Sequence, residues 1–357
     1  GLQPRRGPDG DHDGKNSGQK VPIAIGARDA LKRWANPMLF QGSLRSKRYF
    51  EGWYFKQVSR DRRFAFAIIP GVSLSAAGSH AFVQFIDGRT GATRYFQYPV
   101  SDFCADTNEF MVRVGNNRFS FRGIEALLED EEGVIEAHLS FSGITPLAKT
   151  VFSPGIMGPY AFAPFMECYH GIGSLGHNVS GTLRVGDDHF DMEDGTGYLE
   201  KDWGRSMPSA WLWAHSNSFS SPDASFVFSL ARVPWLGGWF PGFFCALLAG
   251  GIQHRFATYT GASISRLVLS GREIEISIRD RAGTLSIRAH RSHEGILRAP
   301  VQGAMDRRIG ESIDARLALR LERSDGTVLF EDEAECAGLE LVGDLSSLVP
   351  SGRGRGR

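Results

Sequence analysis

The sequence predicts an all-β protein, and both composition and periodicity support this prediction. Glycine supplies 43 and phenylalanine 25 of the 357 residues, as expected where many turns join aromatic-rich strands. Apolar and polar residues alternate with period two in residues 135–141, 274–279 and 315–322, the pattern of strands with one buried face. Turn-forming pairs such as Asp325-Gly326 separate these runs, and no long amphipathic helix pattern interrupts them.

An internal repeat of about 160 residues divides the chain into halves. An aromatic-rich triplet at 53–55 precedes an apolar run at 64–70, and a second triplet at 211–213 precedes a second run at 226–234. The repeat aligns the leading tryptophans of the two triplets. Each half has the size of one antiparallel barrel of about eight strands, which can enclose one small apolar ligand. Two β-sandwiches would fit the same pattern.

The repeat and the composition of the ends predict the domain organisation. Residues 1–34 are expected to be a disordered or linker segment, because the first 20 contain five Gly, two Pro and only one large aliphatic residue. The first β domain is placed at 35–205 and the second at 206–346. The remaining residues, 347–357, end in alternating Gly and Arg and are expected to form a flexible basic tail.

The charge balance bears on possible partners. Lys and Arg together number 40, as do Asp and Glu, so the formal net charge is zero. No overall positive field would attract a polyanion, and we therefore expect no nucleic-acid partner. No apolar region typical of a signal peptide is visible near the start. A soluble or peripheral membrane protein that is not secreted is the expectation.

The segment 233–252 is 20 residues long and uncharged, which is the length of a membrane-spanning helix. Pro234, Pro241 and five glycines argue against a helix. Two interpretations remain open. The segment could be a strand–turn–strand unit lining an apolar pocket, or an aromatic loop that makes peripheral contact with a bilayer surface.

Carboxyl groups within aromatic strands are the first candidates for chemistry. Glu200 and Asp202 share one face of a predicted strand, and enclosure of both would push their pKa values apart, so that one acts as general acid and the other as base. Glu51 lies beside aromatic residues in another strand and is a candidate buried acid. The alternatives are a solvated turn at 200–202 and an exposed strand end at Glu51.

A second group of candidates would bind an apolar ligand with a polar head. Trp211, Trp213, His215 and Asn217 share one strand face. His170 lies in another apolar stretch. Ordinary core packing with structural histidines is the alternative for both segments.

Established catalytic signatures are absent from the sequence. We find no nucleophile-elbow, phosphate-loop, zinc-protease or dinucleotide-binding motif, and the ten histidines lack metal-ligand spacing. This pattern favours chemistry without a cofactor and without a metal, or binding alone.

Several of these segments together resemble the tocopherol cyclase family. The resemblance rests on Phe-Glu-Gly-Trp-Tyr-Phe-Lys at 50–56, on the Gly-Pro-Tyr-Ala-Phe…Met-Glu-Cys-Tyr-His-Gly segment at 158–171, and on Glu-Lys-Asp-Trp-Gly at 200–204. A Pro…Trp-x-Trp…Asn pattern at 208–217 and a closing Gly-Leu-Glu at 338–340 complete it. It spans about residues 35–345.

This resemblance implies two lipocalin-like halves and a cofactor-independent cyclisation of a prenylated benzoquinol to a chromanol. The same architecture resembles carotenoid hydratases and fungal Diels–Alder cyclases, so the fold alone does not fix the reaction. Hydration or cycloaddition of another polyene, and non-catalytic binding of a prenyl lipid, are the alternatives. A cytoplasmic or plastid-like location is expected.

The chemistry of ring closure suggests roles for the candidates. Asp202 or Glu200 would protonate the alkene, and the other carboxylate or His170 would accept the phenol proton, with Glu51 as a further catalytic candidate. The partner would be a hydrophobic prenylated aromatic molecule. The residues expected to bind it, by stabilising the cation or orienting hydroxyl groups, are Trp53, Tyr169, Trp203, Trp211, Trp213, His215 and Asn217.

Overall fold

The computed structural model describes residues 32–33, 35–150 and 153–348, and strands make up nearly all of their regular structure. The all-β prediction is confirmed. The predicted N-terminal segment, except residues 32 and 33, and the tail beyond 348 lie outside the described residues. Leu345–Leu348 forms a short 3₁₀ turn.

The first lobe is a twelve-stranded antiparallel sheet. Its order is β4-β3-β2-β1-β12-β10-β9-β8-β7-β6-β5, with β11 paired to β10. The strands are β1 (Tyr49–Val58), β2 (Ala65–Leu74), β3 (His80–Asp87), β4 (Thr93–Tyr98), β5 (Phe103–Ala105), β6 (Met111–Val114), β7 (Asn117–Ser120), β8 (Gly123–Asp130), β9 (Gly133–Thr145), β10 (Cys168–Val185), β11 (Asp188–Asp191) and β12 (Gly195–Gly204).

The second lobe is a ten-stranded antiparallel sheet. Its order is β16-β15-β14-β13-β22-β21-β19-β18-β17, with β20 paired to β21. The strands are β13 (Trp211–Ser216), β14 (Ser225–Trp235), β15 (Gly238–Ala249), β16 (Ile252–Ala257), β17 (Ser263–Ser270), β18 (Glu273–Arg279), β19 (Gly283–His290), β20 (Gly295–Val301), β21 (Ala304–Arg323) and β22 (Val328–Val342).

Each sheet curls around its own apolar core. In the first lobe β6 packs against β2 and β3, so the sheet nearly closes into a barrel, and Phe55, Phe66 and Phe119 fill it. In the second lobe Phe226 and Phe228 pack inside with the alternating isoleucines of β18. Because side chains fill both interiors, the ligand space expected inside each barrel is instead found between the lobes.

The internal repeat is visible in the topology, although its predicted residue alignment is wrong. β12 lies beside β1 in the first sheet as β22 lies beside β13 in the second. Trp53 points into the first core, however, whereas Trp211 points into the layer between the lobes. A shift of one residue exchanges the faces of a strand, and by position Tyr54 beside Glu200 corresponds to Trp213 beside Glu340.

The two sheets divide at the segment between Gly204 and Trp211. The predicted domain limits of 35–205 and 206–346 fall on this segment, and the independence of the two lobes as domains stays a prediction. The uncharged stretch 233–252 forms the hairpin β14–β15 and its following turn, so it has the strand–turn–strand structure. Among the described residues, no helix is long and apolar enough to cross a membrane.

Candidate active site

A cavity of about 190 Å³ lies between the facing sheets. The first lobe contributes residues of β1–β3, β10 and β12 to its wall, and the second contributes residues of β13–β15 and β20–β22. Most of the wall is apolar, with Phe82, Phe244 and Ile309 among its residues. Carboxyl groups from both lobes reach into this apolar space, and the site is therefore built from the two halves together.

The polar centre of the first lobe is His170 held between two carboxylates. Its Nδ1 lies 2.8 Å from Oδ1 of Asp202, and its Nε2 lies 3.1 Å from Oε2 of Glu200. His170 and Asp202 are direct partners across β10 and β12, which places their side chains together. Burial lowers the pKa of His170, but Asp202 and Glu200 outweigh it and raise that pKa to about 10. The imidazole is therefore protonated at neutral pH.

Glu200 joins the two lobes through hydrogen bonds. The Tyr198 hydroxyl donates to its Oε2 over 2.6 Å, and Nε1 of Trp213 on the opposite lobe donates to the same oxygen over 3.2 Å. Burial, with Glu200 as a neighbour, raises the pKa of Tyr198 well above its usual value, so this hydroxyl keeps its proton. Three positively polarised groups thus face one carboxylate and hold it in place between the lobes.

The second lobe contributes two carboxyl groups, Glu311 and Glu340, which are direct partners across β21 and β22. Tyr54 donates a hydrogen bond to Oε1 of Glu311, and Trp211 donates one to Oε2 of Glu340. Burial raises the pKa of Glu311 to about 8. Burial and the neighbouring Glu311 also raise the pKa of Glu340 well above its usual range. At neutral pH this pair therefore holds protons that solvated carboxylates would lose.

Six of the predicted site residues line the cavity. The two predicted carboxylates and the histidine are in contact with each other, as described above. Tyr169 contributes to the wall next to them, and its ring stacks on Trp203 at a centroid distance of 5.5 Å. The six are Tyr169, His170, Glu200, Asp202, Trp211 and Trp213.

The structure places Glu51 away from the cavity, which corrects its candidacy as a catalytic acid. Glu51 points into the first lobe, where it forms a fully buried ion pair with Lys201. The backbone N–H of Gln41 lies 2.9 Å and 3.0 Å from its two oxygens, and Tyr49 also donates to it. These contacts are those of an ion pair that stabilises the fold.

The other four predicted ligand-binding residues also lie outside the cavity wall. Trp53 is buried in the first core, and Nε1 donates to the carbonyl of Met38 over 2.9 Å. Trp203 supports Tyr169 from behind. His215 lies behind the wall and stacks on Tyr198 at 3.5 Å. The Asn217 side chain donates to the carbonyl of Gly197 over 2.8 Å, so it connects the lobes rather than binding a ligand.

Sequence reasoning missed three residues of the site: Tyr54, Glu311 and Glu340. Tyr54 lies three positions after Glu51 in β1 and therefore on the opposite face of the strand, which is the face toward the cavity. Glu340 belongs to the closing Gly-Leu-Glu motif, where a lone acid in an apolar stretch was the available signal. Glu311 lies in a strand rich in charged residues, and no local pattern distinguishes it.

His170, Glu200 and Asp202 are also the group, among the described residues, whose donor atoms converge as metal ligands would, all within 4.8 Å of one another. One nitrogen and two carboxylate oxygens are a donor set that several divalent metals accept. In the present arrangement both imidazole nitrogens face carboxylates, as in a protonated imidazole, and a metal would have to replace that proton. That the chemistry uses neither a metal nor a cofactor stays a prediction.

The fold and the cleft define a class: two curled antiparallel sheets of lipocalin type that share one site. Solved structures of the same fold include a protein described as AttH from Nitrosomonas europaea. It is 16% identical to this chain, the match covers 83% of this chain and 93% of that one, and the TM-score is 0.50. CghA with Sch210972 is another (11% identity, 83% and 89% covered, TM-score 0.52). At these identities the likeness shows the fold alone.

The sequence comparison finds a family match over part of the chain. The family model described as Tocopherol cyclase-like matches residues 174–343, so the predicted resemblance is confirmed and this region of the chain is tocopherol cyclase-like. A curated relative, "Probable tocopherol cyclase, chloroplastic" of Oryza sativa subsp. japonica, is 30% identical over 74 residues. Those residues are 21% of this chain and span only 16% of the relative's length.

Proposed function

We propose that this protein closes a chromanol ring on a prenylated benzoquinol by acid catalysis, without a cofactor. One observation carries the proposal: a buried carboxyl pair with raised pKa values faces the cavity from one lobe, and two carboxylates in contact with His170 face it from the other. A candidate acid and a candidate base thus face one apolar space, as general acid–base catalysis requires. The family match supports the same reaction class.

Glu340 is the general acid in this proposal. Its carboxyl borders the cavity, and burial with Glu311 beside it keeps it protonated. It gives its proton to the trisubstituted alkene, so that one C–H bond forms, the π bond is lost and a tertiary cation results. Sequence reasoning had assigned the acid role to Asp202 or Glu200. Because His170 lies between these two carboxylates, whereas Glu340 has a raised pKa, the base role suits Glu200 or Asp202 better.

The aromatic wall stabilises the cation. Trp211 and Trp213 line the cavity beside Glu340 and Glu200, with Phe244 also in the wall. The face of an aromatic ring attracts a cation, and the attraction is stronger where water is excluded. Because both indole N–H groups donate to carboxyl groups, the two rings are held in fixed orientations.

Ring closure then returns the proton balance to zero. The phenol oxygen attacks the cation to form the C–O bond, and Glu200 or Asp202 accepts the phenol proton. One proton has been delivered and one removed, so product and substrate are isomers and no electrons are exchanged. Return of the proton to Glu340 restores the resting state.

Incubation of the purified chain with a prenylated benzoquinol under anaerobic conditions, followed by mass spectrometry, tests the proposal. We expect a chromanol of unchanged mass, and a loss of at least about a hundredfold in rate for the variant that combines Glu200→Gln with Asp202→Asn. The exposed Glu129→Gln is the matched control. A product heavier by one water would show a hydratase, and tight binding without product would show a carrier. Either result would overturn the proposal.

A further inference from the structure

Large apolar side chains are exposed at one edge of the cleft between the lobes. Leu236, at the tip of the β14–β15 hairpin, is 82% exposed, and Trp239 is 40% exposed. Phe162 and Phe165, in and after the 3₁₀ turn Gly158–Phe162, are also exposed. Exposed apolar residues that occur in a group, rather than singly, mark an interaction surface.

This surface is continuous with the wall of the cavity. Tyr160 and Phe240 line the cavity, and the ring of Trp235 lies 5.6 Å from the first and 6.0 Å from the second. Phe165 in turn lies 5.0 Å from Trp235. An apolar path therefore runs from the exposed residues to the interior. We name the apolar collar by its members: Tyr160, Phe162, Phe165, Trp235, Leu236 and Trp239.

The two segments that form the collar come from different lobes, and both are free of charge. No Asp, Glu, Lys, Arg or His occurs in residues 150–166 or 233–253. Burial of such segments in hydrocarbon therefore removes no ionised group from water. Two stretches with this composition, far apart in sequence, meet where aromatic rings extend outward from the cavity wall.

One cation contacts the collar directly. Arg232 places its guanidinium 4.2 Å over the ring of Trp239. Glu167 follows the first segment, and burial raises its pKa. Exposed aromatic and aliphatic side chains beside an arginine suit the interface of a bilayer that contains anionic lipids.

We propose that the apolar collar docks on a lipid bilayer, and that the substrate passes from the bilayer directly into the cavity. This inference rests on the proposed function, because a prenylated substrate dissolves in the bilayer. A protein partner or a second copy on the collar would cover the path that the substrate needs. The sequence predicted peripheral membrane contact through residues 233–252. The collar restricts this contact to the β14–β15 tip and adds the 158–166 segment of the first lobe.

Co-sedimentation with vesicles of phosphatidylcholine and phosphatidylglycerol tests the docking. We expect the full chain to bind, and the triple variant Phe165→Ser, Leu236→Ser, Trp239→Ser to bind at least about tenfold more weakly. Two control variants replace exposed apolar residues elsewhere. Leu127→Ser lies in the first lobe, and Ile252→Ser lies at the start of β16, at the opposite end of β15 from the hairpin tip, with exposures of 52% and 61%. Both controls should bind as the wild type does.

Turnover separates the two proposals. The triple variant should convert a short-chain substrate in water at the wild-type rate but lose turnover of a long-chain substrate in vesicles. Absence of turnover with intact, collar-dependent vesicle binding would reject the proposed function and keep the docking. The docking proposal would be overturned if the wild-type chain did not bind vesicles or if the triple variant bound them as tightly as the wild type. It would also be overturned if the wild type formed a dimer that the triple substitution dissociated.

Discussion

At the scale of single residues, the site depends on a carboxyl group kept neutral by its surroundings. Glu340 and Glu311 share a buried place, and two negative charges so close together are unfavourable in a low dielectric. A group that is protonated at neutral pH can donate to an alkene, whereas a solvated carboxylate cannot. The same burial that costs stability therefore supplies the chemistry.

The pH dependence of turnover follows from this pair. The active form of the pair is protonated, so kcat/KM should fall as rising pH removes its first proton, and burial raises the pKa of one member, Glu311, to about 8. Glu311→Gln removes one source of the raised pKa of Glu340, so the basic limb of the profile should move to lower pH. A limb that stays in place or moves to higher pH would contradict the assignment.

The pair formed by Glu51 and Lys201 gives the opposite case, in which the carboxylate is structural. Both side chains are fully buried. Glu51→Gln leaves the Lys201 charge without its partner and should lower the free energy of unfolding by about 3–5 kcal/mol, measured in urea. The double variant Glu51→Leu, Lys201→Met should recover much of this loss. A Glu51→Gln protein of wild-type stability that has lost turnover would return Glu51 to the catalytic candidates.

At the scale of elements, strand periodicity was predicted well and strand facing only in part. The alternating runs at 135–141, 274–279 and 315–322 lie in β9, β18 and β21. Glu200 and Asp202 were correctly placed on one face of β12. The repeat was misaligned by one residue, because the aromatic residues of the two triplets match better in the wrong register, and this error placed Trp53 in the site.

β22 offers a test of how strands position the cavity wall. A Cβ atom at Gly338 would lie 2.6 Å from Cζ3 of Trp213. Gly338→Ala should therefore displace the indole, lower the free energy of unfolding by about 1–3 kcal/mol and reduce kcat/KM. At Gly176 on β10 a Cβ would meet nothing within 4 Å, and Gly176→Ala is the matched control. Equal effects of the two substitutions on turnover would contradict the role of Trp213.

At the scale of the whole molecule, the sequence predicted two barrels but not where they meet. Periodicity shows which residues share a face, but it does not show that the face of β1 and β12 packs against that of β13 and β22. Tyr54 reaches Glu311 across 257 positions of sequence, and no local pattern reports such a contact. The cavity, Glu311 and the acid role of Glu340 therefore emerged only from the packing of the lobes.

The central claim is that Glu340 donates the proton that starts ring closure, and turnover in deuterated water tests it most directly. The chromanol should carry one non-exchangeable deuterium. It should lie on the former alkene CH, which becomes the ring CH₂ beside the quaternary carbon that bonds to the ring oxygen. Glu340→Gln should form this product at least about a hundredfold more slowly, and Glu340→Asp should recover part of the rate. A chromanol without that deuterium, or a Glu340→Gln variant at full rate, would contradict the account.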